Sequence, residues 1–272
     1  MARVIGDITR GTTNPNRLRR VDRWILHQVC STIRGCDGTS VEPIVVDLGY
    51  GASPVTTVEL YDRLAKHVRP DVRVVGIEID PERVKEAAPH TKPNLSFMHG
   101  GFEIPLPDGK SPIAIRASNV LRQYDESEVK AAWAQMTSRL APNGYLVEGT
   151  CDEIGRRSSW VSVRAGQNIP ESFSISVHVD SLELPSDIAP RLPKALIHRN
   201  VPGEAIYEFL QAFDRAWNQH ASLIPFGARQ RWVSSIETLS EQGYEVWDNK
   251  SRWRMGEITL PWSVVAPTSY LD

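Results

Sequence analysis

Along the first third of the chain, apolar positions recur at Leu18, Val21, Ile25 and Val29, with Trp24 beside them. That spacing predicts an amphipathic helix from Asn16 to Cys30, with Arg17, Arg19, Arg20 and Arg23 mostly around its remaining faces. Residues 35–43 read as a loop, and Ile44–Leu48 as a short buried strand. Ser53-Pro54 opens a helix carrying Val58, Tyr61, Leu64 and Val68, with proline at its start. Val72–Ile77 is a second buried strand, and Asp80-Pro81 opens another helix in the same way. Leu95–Met98 and Ile113–Ala117 are a third and fourth strand. Asp125 and Glu128 then form a capping-box pattern ahead of Val129, Ala132, Trp133, Met136 and Leu140 on one helical face. Asn143-Gly144 turns the chain into a fifth strand, Tyr145–Val147.

After Thr150 the pattern changes. Trp160–Val163 and Phe173–Val179 alternate like an antiparallel hairpin, and four prolines break up the stretch from 185 to 202. Helices follow at Ile206–Trp217 and Arg229–Glu241. Tyr244–Trp247 and Ile258–Val265 read as a closing antiparallel pair. Strand–helix alternation over the first part predicts an α/β fold, a doubly wound and mostly parallel sheet with helices on both faces. Ligands of such sheets bind at the carboxyl ends of the strands.

The most informative stretch is Val45-Val46-Asp47-Leu48-Gly49-Tyr50-Gly51-Ala52-Ser53. A strand runs into an acid, then a glycine turn that lets a ligand approach the backbone, then a helix start. Asp47 can attract the ammonium of a bound amino acid. Glu78 ends the next strand, where a carboxylate can accept hydrogen bonds from both hydroxyls of a ribose, and Ile79 can pack on an adenine face. A dinucleotide site fits less well: the third glycine of G-x-G-x-x-G is replaced by Pro54, and Asp47 would repel a pyrophosphate. There is no G-x-x-x-x-G-K-[ST] loop. In the plainer reading, Asp47 and Glu78 cap helices and the glycines are ordinary turns.

This acid-x-G-x-G stretch resembles the first motif of the class I, Rossmann-like S-adenosylmethionine-dependent methyltransferases, and Gly76-Ile77-Glu78 resembles their second. The resemblance covers about residues 43–150. It implies a seven-stranded sheet with one antiparallel strand, and S-adenosyl-L-methionine as cofactor. It implies Asp47, Gly49 and Gly51 near the methionine part, with Tyr50 between the glycines also at the cofactor, and Glu78 at the ribose. The third motif departs: in His99-Gly100-Gly101-Phe102-Glu103, Gly101 takes the position where an acid is often found. Adenine recognition then falls to the Phe102 backbone or to Glu103. Asn119 and Val120, after the fourth strand, should also line the cofactor site. On this reading residues 1–42 are an N-terminal arm and helix, and 43–150 the cofactor-binding core. Residues 151–225 form an insertion or substrate lid, and 226–272 a helix and strands that complete the sheet. The alternative has the earlier hairpin complete the sheet and the later pair as the addition.

The acceptor is not legible. No N-P-P-Y or D-P-P-Y is present, which speaks against amino-group methylation of nucleobases. Tyr124, Glu148, Asp152 and His198 are candidates for a catalytic base, needed only if the acceptor loses a proton in the step. Acids at 148, 152 and 153 suit a metal less well than plain solvation or pairing, so no metal is expected. Arg10–Arg17 is polar and turn-forming; it could fold over the cofactor, and an arginine there could hold a carboxylate or phosphate. Five arginines between Arg10 and Arg23 raise RNA as an alternative substrate, but the formal net charge of -2 counts against a nucleic-acid partner. Cys30, Cys36 and Cys151 form no CxxC pair. No apolar run approaches the roughly 18 residues of a membrane helix, and no secretory leader is seen, so the expectation is a cytoplasmic protein. A small molecule is the expected partner. A non-catalytic methyltransferase-like binding module and a spermidine-synthase-like use of a related nucleoside are the remaining alternatives. Oligomeric state is open.

Overall fold

The computed structural model describes residues 4–8, 11–36 and 42–270. Arg10, and much of the loop read over 35–43, lie outside the described residues. The chain enters through α1 (Arg19–Gln28) and α2 (Cys30–Arg34). It then alternates through β1 (Ile44–Leu48), α3 (Val55–His67), β2 (Arg73–Glu78), α4 (Pro81–Ala87), β3 (Leu95–His99), β4 (Ala114–Ser118), α5 (Glu126–Thr137) and β5 (Tyr145–Cys151). β6 (Arg157–Arg164) and β7 (Ser172–Val177) follow, then α6 (Lys194–Ile197), α7 (Ala205–Gln219), α8 (Ala228–Glu241), α9 (Lys250–Trp253) and β8 (Glu257–Pro261). The strands make one sheet in the order β3-β2-β1-β4-β5-β6-β7-β8. The first five are parallel, and β6, β7 and β8 each run antiparallel to the strand before.

Strand periodicity sorts the core onto two faces. Val45, Val74, Ile113 and Val147 point to one face, under Trp24, Ile25, Leu60 and Leu64 of α1 and α3. Val46, Ile77, Ile115 and Leu146 point to the other, under Trp133 and Met136 of α5 and the aromatic face of α7 and α8. The helix starts follow their side chains. Asp80 Oδ1 accepts from Glu82 N at 3.0 Å, and Glu128 Oε2 accepts from Asp125 N at 2.8 Å, the backward half of a capping box.

The resemblance implied seven strands with one antiparallel. The sheet has eight, and two of them, β6 and β8, run against the parallel set. The eighth strand exists because the meander carries two matched rows. Val161, Phe173, Ile175 and Ile258 fill the α7–α8 face. On the opposite face Ser162 meets Ser172 at 2.7 Å and Ser174 meets Thr259 at 2.8 Å. Trp24 of α1 donates its indole N–H to Thr259 at 3.2 Å and covers that row. Tyr244–Trp247, expected as a strand, is irregular and keeps one strand-like bond, Trp247 N to Thr259 O. Among the described residues no helix is long and apolar enough to cross a membrane.

Candidate functional site

Two glycines shape the end of β1. Gly49 has φ +68, and a Cβ there would stand 2.8 Å from Val120 Cγ2. Gly51 has φ +82, and a Cβ there would meet Thr13 Oγ1 at 2.8 Å. Both need the left-handed region and a bare backbone. Beside them, at the carboxyl ends of β1 and β4, opens a crevice of about 530 Å3. Gly49, Tyr50, Gly51, Ser118 and Asn119 line it, with Thr12, Thr13 and Arg17 of the arm and with Arg122 and Arg191. Asn119 is itself left-handed, φ +61. Its amide is clamped to the end of β5, Oδ1 accepting from Cys151 N at 3.0 Å and Nδ2 donating to Cys151 Sγ at 3.2 Å.

Asp47 borders the crevice but is 1% exposed and fully engaged. Arg116, in the middle of β4, donates to both of its oxygens at 2.9 and 2.6 Å, and Thr57 Oγ1 donates to Oδ2 at 2.7 Å. The same guanidinium also binds Asp22 of α1, which in turn pairs with Arg63 of α3. Burial works against the charge of Arg116, but Asp47 and Asp22 outweigh it and keep the guanidinium ionised. The carboxylate read in sequence as an ammonium partner is thus already neutralised. Arg116 was the missed partner, although an arginine inside a buried strand signals one, since a buried charge must be paired.

Glu78 is buried at the end of β2. Its Oε2 accepts from Gly51 N at 2.8 Å, and its Oε1 from Ile79 N at 3.1 Å, with Arg83 Nη1 at 3.5 Å. The carboxylate therefore ties the second strand to the glycine turn. Beyond it, Ile79, Gly101, Phe102, Val120 and Tyr124 surround a second recess, which also borders Gly49 and Glu78. That recess is filled by the arm, which leaves about 20 Å3. Ile5 lies in it edge-on: its N–H donates to Glu103 Oε2 at 2.8 Å and its C=O accepts from Phe102 N at 2.9 Å. Asp7 N donates to Tyr124 Oη at 2.5 Å, and Gln123 Nε2 to Asp7 O at 2.9 Å. Gly101 is bare for the same reason, since a Cβ would stand 2.0 Å from Ile5 O. Further along the arm, Gly11 O accepts from Ala52 N at 2.8 Å and Thr13 Oγ1 donates to Tyr50 O at 2.9 Å.

Of the four proposed bases, Tyr124 borders the filled recess, and burial raises its pKa. Asp152 accepts from Arg156 N at 2.7 Å and Arg157 N at 3.1 Å, closing the β5–β6 turn. His198 sits at the end of α6, 3.2 Å from Lys194 Nζ, and does not line either space. Glu148 is 1% exposed in the α5 face of the core, facing away from the crevice. No group of three His, Cys, Asp or Glu among the described residues could hold a metal ion.

No protein-family model matches the chain, and no curated protein matches it. Solved structures similar to it include human N-acetylserotonin methyltransferase in complex with SAM, with 21% identity over 48% of this chain and 36% of that one, TM-score 0.32. They include magnesium protoporphyrin IX methyltransferase from Synechocystis with bound SAH, with 16% identity over 49% of this chain and 57% of that one, TM-score 0.34. N-methyltransferase NodS from Bradyrhizobium japonicum is another, with 18% identity over 47% of this chain and 68% of that one, TM-score 0.31. The first two matches thus span little more than half, or less, of those proteins' own length.

Proposed function

We propose that this chain is an S-adenosylmethionine-dependent methyltransferase acting on a small-molecule acceptor. The observation that carries the reading is the edge now taken by Ile5. Phe102 N–H and the Glu103 carboxylate offer one donor and one acceptor side by side, with Gly101 bare beside them. An adenine presents the complementary pair, a ring nitrogen that accepts and an amino group that donates. Ile79, Phe102 and Val120 supply apolar walls for a flat ring, and Glu78 stands where that recess meets the glycine turn. The residues present therefore fit an adenosine, once residues 4–8 leave the recess.

In this reading Glu78 holds the ribose hydroxyls, and Phe102 N–H and Glu103 hold the base. The Gly49–Gly51 turn and Asn119 border the amino-acid part. When bound, S-adenosylmethionine supplies an electrophilic methyl group on a sulfonium. The protein's share is orientation: it holds the acceptor in line in the open crevice and keeps water out. Asp47, bound by Arg116, acts here by fixing the strand ends rather than by meeting the ammonium. Tyr124 remains the one candidate base that borders the cofactor side, and it would be freed when Asp7 withdraws.

The test is calorimetry with S-adenosylhomocysteine and NAD. The nucleoside is expected to bind, and NAD far more weakly. Glu78→Gln, with its fold checked by circular dichroism, is expected to weaken the nucleoside about tenfold, the scale of losing hydrogen bonds to a charged group. Tighter binding of NAD, or no binding of the nucleoside even with the arm removed, refutes the reading.

A further inference from the structure

Asp47 is paired with Arg116, and the three arginines that line the open crevice outnumber its one remaining carboxylate, so the crevice is a cationic space. Three guanidinium groups reach it from three separate segments: Arg17 ahead of α1, Arg122 in the turn after β4, and Arg191 ahead of α6. Among the described residues none of the three pairs with a carboxylate. Arg17 Nε donates to Asp152 O at 3.0 Å and its Nη1 to Thr12 O, and Arg122 Nη1 donates to Pro190 O at 3.0 Å. Carbonyl partners aim a guanidinium without cancelling its charge. Elsewhere on the same chain Arg63, Arg164, Arg199 and Arg252 all meet carboxylates. Among the described residues the only other carboxylate that lines the crevice is Glu153, which is exposed. The three like charges feel one another: the pKa of Arg122 is lowered by desolvation and then by Arg191 and Arg17. Holding them together costs free energy unless a ligand supplies the negative charge.

We propose that Arg17, Arg122 and Arg191 form an anion site that holds a carboxylate or phosphate group of the methyl acceptor. The site follows from the charges alone; naming its ligand as the acceptor rests on the methyltransferase reading. A planar guanidinium fork matches both anions with paired hydrogen bonds, and three forks from three directions select for an anion rather than for a neutral polar group. The position suits an acceptor, since the same crevice borders Gly49, Gly51 and Asn119.

Inorganic phosphate and benzoate are the probes, titrated into the full-length protein with and without S-adenosylhomocysteine. At least one is expected to bind, and Arg122→Gln and Arg191→Gln are each expected to weaken it about tenfold. Preference for phosphate assigns the acceptor a phosphate, and preference for benzoate a carboxylate. Binding of neither probe, or binding that survives both substitutions, overturns the site. If the substitutions weaken S-adenosylhomocysteine but spare 5′-methylthioadenosine, which lacks the amino-acid part, the anion is the cofactor's own carboxylate and the acceptor assignment falls. Anion binding lost in both variants, in a protein that takes no S-adenosyl nucleoside in any form, keeps the site and removes the methyltransferase reading instead.

Discussion

Deleting residues 1–8 is expected to tighten S-adenosylhomocysteine binding by roughly a hundredfold. The arm and an adenine held as proposed cannot share one recess, because Ile5 uses both the Phe102 N–H and the Glu103 carboxylate. With the arm docked in most molecules, the apparent affinity is reduced by the fraction of molecules whose recess is open. A net preference of about 3 kcal/mol for docking gives the hundredfold. Ile5→Pro tests the same contact in the full chain, since proline has no N–H for Glu103, and is expected to move the affinity the same way by a smaller factor. Calorimetry on the three proteins decides it. Equal dissociation constants for the full-length and truncated forms would show that the arm does not occupy the recess in solution.

The largest effect on stability is expected at Glu148. Burial pushes its carboxyl from 4.5 up to about 8, against the pull of the nearby Trp133 indole N–H, which does not reach hydrogen-bond geometry with either oxygen. For an acid raised in this way, the folded state keeps the proton after the unfolded chain has lost it. The stability is fully present below pH 4.5 and is lost as pH rises towards 8, at about 1.4 kcal/mol per pH unit. The total across that window is on the order of 4–5 kcal/mol. Glu148→Gln keeps the shape and cannot ionise, so its stability relative to the native protein should rise steadily through this window. Urea denaturation at a series of pH values measures the difference. A difference that stays constant from pH 5 to 8 would mean that Glu148 titrates normally. Its sealed position on the α5 face also argues against a role as a base in the crevice.

Much of the fold was legible because its causes are local. β1 and β2 are short apolar runs, α3 and α4 open on proline, and α5 opens on Asp125 and Glu128. The strand count was not legible, because β6, β7 and β8 are specified by pairing, and a serine–threonine row reads as surface until Trp24 is laid over it. The extent of β5 was underread for a related reason: Glu148 looks like the end of a strand, yet the strand runs on to Cys151. In the site, the positions of Gly49, Gly51 and Glu78 were readable, since a turn that needs a bare backbone and an acid at a strand end each leave a mark in one short stretch.

The amino-acid sequence by itself determined the alternating core, the glycine turn at the end of β1 and the acid at the end of β2. All three depend on residues within a few positions of one another, where periodicity and φ preference act. Tertiary structure alone decided three other things: that Asp47 belongs to Arg116, that Arg17, Arg122 and Arg191 share one crevice, and that Ile5 lies against Phe102 and Glu103. The first is an encounter between opposite charges far apart in the chain, and the second sets like charges side by side against their repulsion, because the sheet brings their three segments to one crevice. The third is made by the peptide group of Ile5, which every residue but proline carries in full, so no side chain in the arm could announce it.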